Sequence, residues 1–193
     1  MIFGRRYRKL WLKLFSILAI FVSLFVYTNL KAEVAEHEAQ VSVLTDEELL
    51  PVFVNDIGNA KKSIYMAIYM FKTSDFKPGD TEIIKQALMK AARSGVKVYV
   101  VMDDSDKKDI TGKINRETGE ELSKAGIKVV YDAKNKRMHS KVTVIDGRIT
   151  YIGSHNYTVS AMKYNNEITA RIVSDGAAAE TAQYIKSIKE GRH

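Results

Sequence analysis

Four polar side chains of this 193-residue sequence are spaced so that they could work together on an anionic centre: His139, Lys141, Ser154 and Asn156. The imidazole can attack or move a proton, and the ammonium, hydroxyl and amide can hold negative charge developing on oxygen. A turn is what groups them. Asp146-Gly147 lies between two runs of alternating apolar residues, and both tolerate positive φ, which is the signal of a type I′ hairpin. A two-residue loop predicts Ile145 opposite Arg148, Lys141 opposite Ile152, His139 opposite Ser154 and Arg137 opposite Asn156. Opposed residues share a face, as do residues two apart along a strand. His139, Lys141, Ser154 and Asn156 are therefore expected on one side of the hairpin, with Val142, Val144, Ile149 and Tyr151 on the other. Lys134, Lys136 and Arg137 add positive charge without an acid between Ala133 and Ile145.

The order of these residues resembles the phospholipase D superfamily. Its signature H-x-K-x4-D matches His139-Ser140-Lys141-Val142-Thr143-Val144-Ile145-Asp146, Gly153-Ser154-His155-Asn156 resembles its G-S-x-N element, and Glu167 resembles the acidic residue that follows. The resemblance covers roughly residues 40 to 190 and is closest to small bacterial endonucleases with one motif per chain. It implies catalytic roles for His139, Lys141, Ser154, Asn156 and Glu167. Asp146 completes the motif, but the turn before Gly147 demands Asp or Asn anyway, so its role is read as mainly structural. Members with two motifs face them across a pseudo-twofold axis, and this chain has one. The resemblance therefore implies a homodimer with a shared active site, in which His139 of one subunit forms a phosphohistidine and its counterpart protonates the leaving oxygen, then activates water. Lys141, Ser154 and Asn156 would stabilise the phosphoryl oxygens, Glu167 would orient His139 and favour its imidazolium, and neither metal nor cofactor is implied.

The elements needed to position these groups are legible in outline. A strand near Val41–Leu44 precedes Thr45 and Glu48, which have capping-box spacing, and Pro51 suits a first helical turn. Strands are expected at Ser63–Met70, Val96–Met102 and Ile127–Tyr131, with helices at Thr81–Ser94 and Asn115–Ala125 ending at Gly95 and Gly126. Closely spaced strands follow at Lys141–Ile145, Arg148–Ile152 and Glu167–Val173, then a helix from Asp175 to about Lys189. The fold class is α/β, a mixed, largely parallel sheet flanked by helices. Tyr65, Tyr69, Tyr99 and Tyr151 read as core, and Asp103, Asp104, Asp106 and Asp109 as a solvated turn. His155 reads as local structure.

The formal charge of +7 would suggest a phosphate-bearing partner, but Arg5, Arg6, Arg8, Lys9 and Lys13 precede any acid, and without them 25 basic residues face 23 acidic ones. Residues 1–13 are a basic cytoplasmic leader. Residues 14–30 carry no charge and, extended back to Leu10 with Lys13 snorkelling, reach about 30 Å at about 1.5 Å per residue, enough to span a bilayer as a transmembrane helix. Cations before and Glu33, Glu36 and Glu38 after this segment put the N-terminus inside, so the domain faces the periplasm or exterior of a bacterium. A membrane anchor is favoured over a cleaved signal peptide and secretion, because the cleavage pattern is poor. Residues 31–40 read as a stalk with a solvated His37, and 41–193 as the catalytic domain. With no cysteine, thiol chemistry and disulfides are excluded.

Three functions are expected in order: a metal-independent phosphodiesterase acting as a nonspecific endonuclease on DNA or RNA, a phospholipase D releasing phospholipid headgroups, and a noncatalytic phosphate-binding scaffold. A long basic groove would favour the polymer, an apolar-rimmed pocket the lipid.

Overall fold

The central strands are apolar on both faces, and both faces are covered by helices. β2 (Ser63–Ile68), β3 (Lys97–Met102) and β4 (Lys128–Tyr131) pair in parallel. On the other side of β2 run β5 (Lys141–Ile145), β6 (Ile149–Gly153), β7 (Ile168–Val173) and β1 (Gln40–Thr45), each antiparallel to its neighbours. The seven strands form one sheet in the order β1-β7-β6-β5-β2-β3-β4. This computed structural model describes Trp11, Lys13 and residues 15–23, 34–73, 79–104, 110–133 and 137–188.

The mixed sheet is as expected, but its largely parallel character is not: two of the six pairings are parallel. Helical crossovers end at β4, and the later connections reverse the chain from strand to strand. α2 (Leu49–Asn59), α3 (Asp80–Arg93) and α4 (Ile110–Lys124) cover one face, where Phe53, Ile57, Ile84, Leu88 and Leu122 pack on Ile64, Met66, Val100 and Tyr151. Among the described residues, α6 (Asp175–Ser187) is the helix that packs on the other, setting Ala178, Ala182 and Ile185 against Ala67, Val101, Val142 and Val144. Gly95 and Gly126, at φ 91° and 84°, end α3 and α4 in the left-handed caps expected of them. The capping box forms, with Glu48 accepting the Thr45 N–H at 2.9 Å. α5 (Val159–Lys163) was not legible, because five residues are too few for a period.

The hairpin corrects the expected register. Asp146 and Gly147 have φ of 55° and 65°, and Arg148 donates its N–H to the Ile145 carbonyl at 3.0 Å, so the primed turn is present. Ile145 nevertheless lies opposite Ile149, and Val142 opposite Ile152, because Arg148 is one extra residue before the ladder resumes. A slip of one exchanges the faces of a strand. Ile149 and Tyr151 consequently join Ile145 on the α2 side, whereas Val142 and Val144 face α6.

The chain divides into two units, Met1–Glu36 and His37–His193. In the first, residues 15–23 form helix α1. Among the described residues no helix is long and apolar enough to cross a membrane, and Leu14 and residues 24–30 of the expected span lie outside them. In the second unit, His37 is not simply solvated. Its Nε2 lies 3.3 Å from a carboxylate oxygen of Glu180 on α6, and its ring packs so tightly on Gly176 that a Cβ there would strike it.

Candidate active site

His139 is exposed on the irregular segment 137–140 between β4 and β5, and Lys141 opens β5. The spacing of two, at the point where extended strand begins, brings the side chains together: Lys141 Nζ lies 3.2 Å from His139 Nδ1 and donates to the His139 carbonyl at 3.0 Å. Tyr69, one residue past β2, is half-buried at this site rather than in the core. Its ring centroid is 4.4 Å from that of His139, 4.9 Å from Lys141 Nζ and 6.0 Å from Arg137 Cζ. Its N–H donates to the Ser140 carbonyl at 2.9 Å, fixing the residue between His139 and Lys141.

Burial and then the charges of Lys141 and Arg137 hold the His139 imidazole below its ordinary pKa, with Asp103 opposing them. Burial likewise lowers Lys141, with Glu167 opposing. The expected preference of His139 for the imidazolium is thus reversed. The Glu167 carboxylate accepts the Ser154 hydroxyl and, through Oε1, the Asn165 amide at 3.1 Å, while its charge acts on Lys141. Among the described hydrogen bonds none joins Glu167 to His139.

Ser154 follows β6 and is stitched to β7, its N–H donating to the Ile168 carbonyl at 2.9 Å and its Oγ accepting the Ile168 N–H at 3.1 Å. Its described partners are Glu167 and Ile168, and none of its described hydrogen bonds reaches His139 or Lys141. Asn156 keeps Oδ1, an acceptor, buried without a hydrogen-bond partner. Its neighbour Tyr157 is bound to the end of β2, donating to the Met70 carbonyl at 2.9 Å and accepting from Lys72 at 2.8 Å. His155 is buried and turns away, bonding Thr169 Oγ1 at 2.7 Å and the Asp46 carbonyl at 3.1 Å.

Asp146 sits at the opposite end of β5 from His139. Its carboxylate accepts the N–H groups of Lys61, Lys62 and Ser63 at 2.8, 2.7 and 3.0 Å, closing the entry to β2. Asp103 and Asp104 are buried rather than solvated, with Arg116 paired to Asp104, and Asp106 and Asp109 lie outside the described residues.

Beside His139 and Lys141 opens a cavity of about 530 Å³, whose wall includes Val142, Ile152, Glu180 and Tyr184. Tyr184 Oη lies 3.2 Å from Ser140 Oγ. Sequence reasoning missed Tyr69, Glu180 and Tyr184. The run Ser63–Met70 gave no sign that β2 stops at Ile68, and the α6 residues become neighbours of the site only through the sheet-to-helix packing.

Residues 53–189 match the family described as "Cardiolipin synthase, PLD-like domain". A phospholipase D of Rickettsia prowazekii is 35% identical over 128 residues, 66% of this chain and 56% of the relative. A cardiolipin synthase of Alkalihalophilus pseudofirmus is 34% identical over 119 residues, 62% of this chain and 22% of the relative. The chain thus spans about half the length of the first relative and less of the second. Among solved structures, the phospholipase D family member Nuc of Salmonella typhimurium superposes with TM-score 0.66 at 23% identity, over 81% of this chain and 100% of that one. NucT of Helicobacter pylori gives 0.62 at 22%, over 78% and 96%. With the match spanning β2 to β7, α6 and the His139–Lys141 pair, the chain belongs to the phospholipase D superfamily, enzymes that act on phosphodiester bonds.

Proposed function

We propose that the protein is a metal-independent phosphodiesterase that works through a phosphohistidine on His139, and that its substrate is a nucleic acid. The observation that carries this reading is the gathering of His139, Lys141 and Arg137 around the Tyr69 ring beside an open cavity. A neutral imidazole is a nucleophile, and the lowered pKa of His139 favours that form at neutral pH. One imidazole nitrogen attacks phosphorus, the P–N bond forms, and the bond to the leaving oxygen breaks as that oxygen takes a proton from a second imidazolium. Water then attacks phosphorus, gives its proton to the second imidazole, and the P–N bond breaks. Lys141, Ser154 and Asn156 hold the nonbridging oxygens. The second histidine is His139 of another copy, in a homodimer with one shared cleft. The apolar N-terminal segment anchors the dimer in a bacterial membrane with the domain outside.

Cations beside tyrosine rings suit a polymer of phosphates and bases, and Tyr184, 52% exposed, offers a further stacking face. A second reading, release of a phospholipid headgroup, is supported by the apolar cavity wall at Val142 and Ile152, and by the names of the relatives above. The experiment incubates the full chain in detergent and EDTA with plasmid DNA, RNA, or vesicles of phosphatidylcholine or cardiolipin. Nucleic-acid cleavage in EDTA is expected, and His139→Ala is expected to lose at least about a thousandfold in rate. Headgroup release without strand cleavage would replace the first reading by the second. Activity insensitive to His139→Ala would overturn both.

A further inference from the structure

An exposed ring on an irregular segment keeps a reactive orientation only if its backbone is held from beneath. Under His139, two carboxylates from different strand ends converge. Asp103 follows β3, Asp132 follows β4, and they are 0% and 2% exposed. The Met138 N–H, one residue before His139, donates to Asp103 Oδ1 at 3.0 Å and to Asp132 Oδ2 at 2.8 Å, while the Met138 side chain is buried against the α6-side core. The other Asp132 oxygen accepts the Asp104 N–H at 2.9 Å. From α4, Asn115 Nδ2 donates to the carbonyls of Asp103 and Tyr69, each at 2.8 Å, and its Oδ1 accepts the Phe71 N–H at 2.9 Å. The ends of β2 and β3 are tied together there, and the backbone on both sides of His139 is held.

Two buried carboxylates meeting at one N–H are a costly arrangement, since a neutral acceptor would serve that N–H as well. Burial raises the Asp132 carboxyl above its ordinary range, and the nearby Asp103 and Asp104 charges act in the same direction against the N–H donors. The groups that face His139 are Lys141 from β5, Arg137 from its own segment, Tyr69 from the end of β2, Asp103 from the end of β3, and Glu180 and Tyr184 from α6 along the cavity wall. Of the charges that act on its titration, only Asp103 is negative.

We propose that Asp103 and Asp132 form a buried carboxylate clamp that positions His139 through the Met138 N–H and sets a negative charge beneath an imidazole otherwise flanked by cations. Neither acid touches substrate; both are positioning residues. The proposal rests on the reading of His139 as the nucleophile. It deepens that reading by adding the part of the fold that holds the ring.

The test uses the full chain in detergent with bis(4-nitrophenyl) phosphate, a small diester that needs neither polymer nor lipid recognition. Asp103→Asn and Asp132→Asn keep an acceptor for Met138 and remove one charge each. Each is expected to lower kcat about tenfold or more with KM little changed. Asp103→Asn should also move the His139 titration, followed by NMR, downward. Folded variants with unchanged kcat and an unchanged His139 titration would overturn the clamp. Amide exchange of Met138 in the unsubstituted protein tests it without relying on any variant to fold: protection like that of β5 is expected, and exchange as fast as an open loop would also overturn it. If His139→Ala kept its activity, the nucleophile reading would fail, while Met138 protection and the His139 titration would still judge the clamp.

Discussion

At the scale of single residues, the pair that defines the site is also the pair whose charges conflict. Lys141 stands 3.2 Å from His139 Nδ1, and burial acts with Lys141 and Arg137 to disfavour the imidazolium. An attacking imidazole must be neutral, so activity falls as pH drops through the His139 pKa. Because that pKa lies below the ordinary value of about 6.5, the acid limb of kcat/KM is expected below it. Lys141→Met removes a neighbouring cation and should move the His139 titration upward, as read by NMR; a downward movement would contradict this account of the pair. Asp146 offers the contrasting case. Partial burial would raise its carboxyl, but the N–H groups of Ser63, Lys62 and Lys61 outweigh this and hold it below the ordinary range. A folded pKa below the unfolded one stabilises above the unfolded value and ceases to as pH falls through the folded value. Asp146→Ala should therefore cost about 2 kcal/mol at neutral pH, with the difference from the unsubstituted protein shrinking in acid. In the folded fraction its kcat should fall far less than that of His139→Ala, whereas an equal loss would assign Asp146 to the chemistry.

At the scale of elements, the glycine before Ser154 shows how a motif letter is set by packing. A Cβ on Gly153 would collide with Thr169 Oγ1 and the Ile168 carbonyl oxygen of β7, backbone that cannot yield without moving the strand. Gly153→Ala should cost about 1–3 kcal/mol, read by thermal unfolding, and lower kcat as well, because β7 carries the Ile168 groups that hold Ser154. A fully stable, fully active alanine variant would refute that close approach. Elements of this kind were legible where chemistry is local. Alternation located β5, the glycine caps located the ends of α3 and α4, and Thr45 and Glu48 announced their box. The hairpin register was not legible, because the turn residues specify the turn but not the extra Arg148 beside it. The Asp146-Gly147 turn announced the antiparallel β5–β6 pair, but the antiparallel pairings of β2 with β5, β6 with β7 and β7 with β1 were hidden, since pairing direction depends on which strands become neighbours. The candidate site followed the same division. His139 and Lys141 meet because they are two apart on an extended start, whereas Tyr69 and Asp103 arrive from strand ends far away in sequence and Asp132 comes from the end of β4, six residues before Met138.

At the scale of the whole molecule, one row across the sheet is only half covered. The register places Val43 beside Ala170, then Ile152, Val142, Ala67 and Val101, all on the face that bears α6. Val142, Ala67 and Val101 are buried under or beside that helix, but Ile152 is 46% exposed and Val43 59%. Val41 and Ile168, 59% and 55% exposed, extend the same uncovered area along β1 and β7. Ile152 also lines the cavity at His139, so apolar surface runs continuously to the reacting groups. A second copy lying there would bury this surface and bring a second His139 toward the first, the arrangement the two-histidine mechanism requires. Two measurements follow from it. Co-refolding the protein with His139→Ala should give activity that follows the square of the unsubstituted fraction, since a cleft with one histidine lacks either nucleophile or acid. A linear dependence would mean that each subunit works alone. The sequence contains no cysteine, so Ile168→Cys introduces a single thiol at the uncovered face. Oxidation should cross-link that variant into dimers, whereas cysteine at Lys113, exposed on α4 across the sheet, should not cross-link. Should Lys113→Cys link and Ile168→Cys not, the dimer would lie on the other face, and a square-law dependence would then have to arise from a cleft built differently.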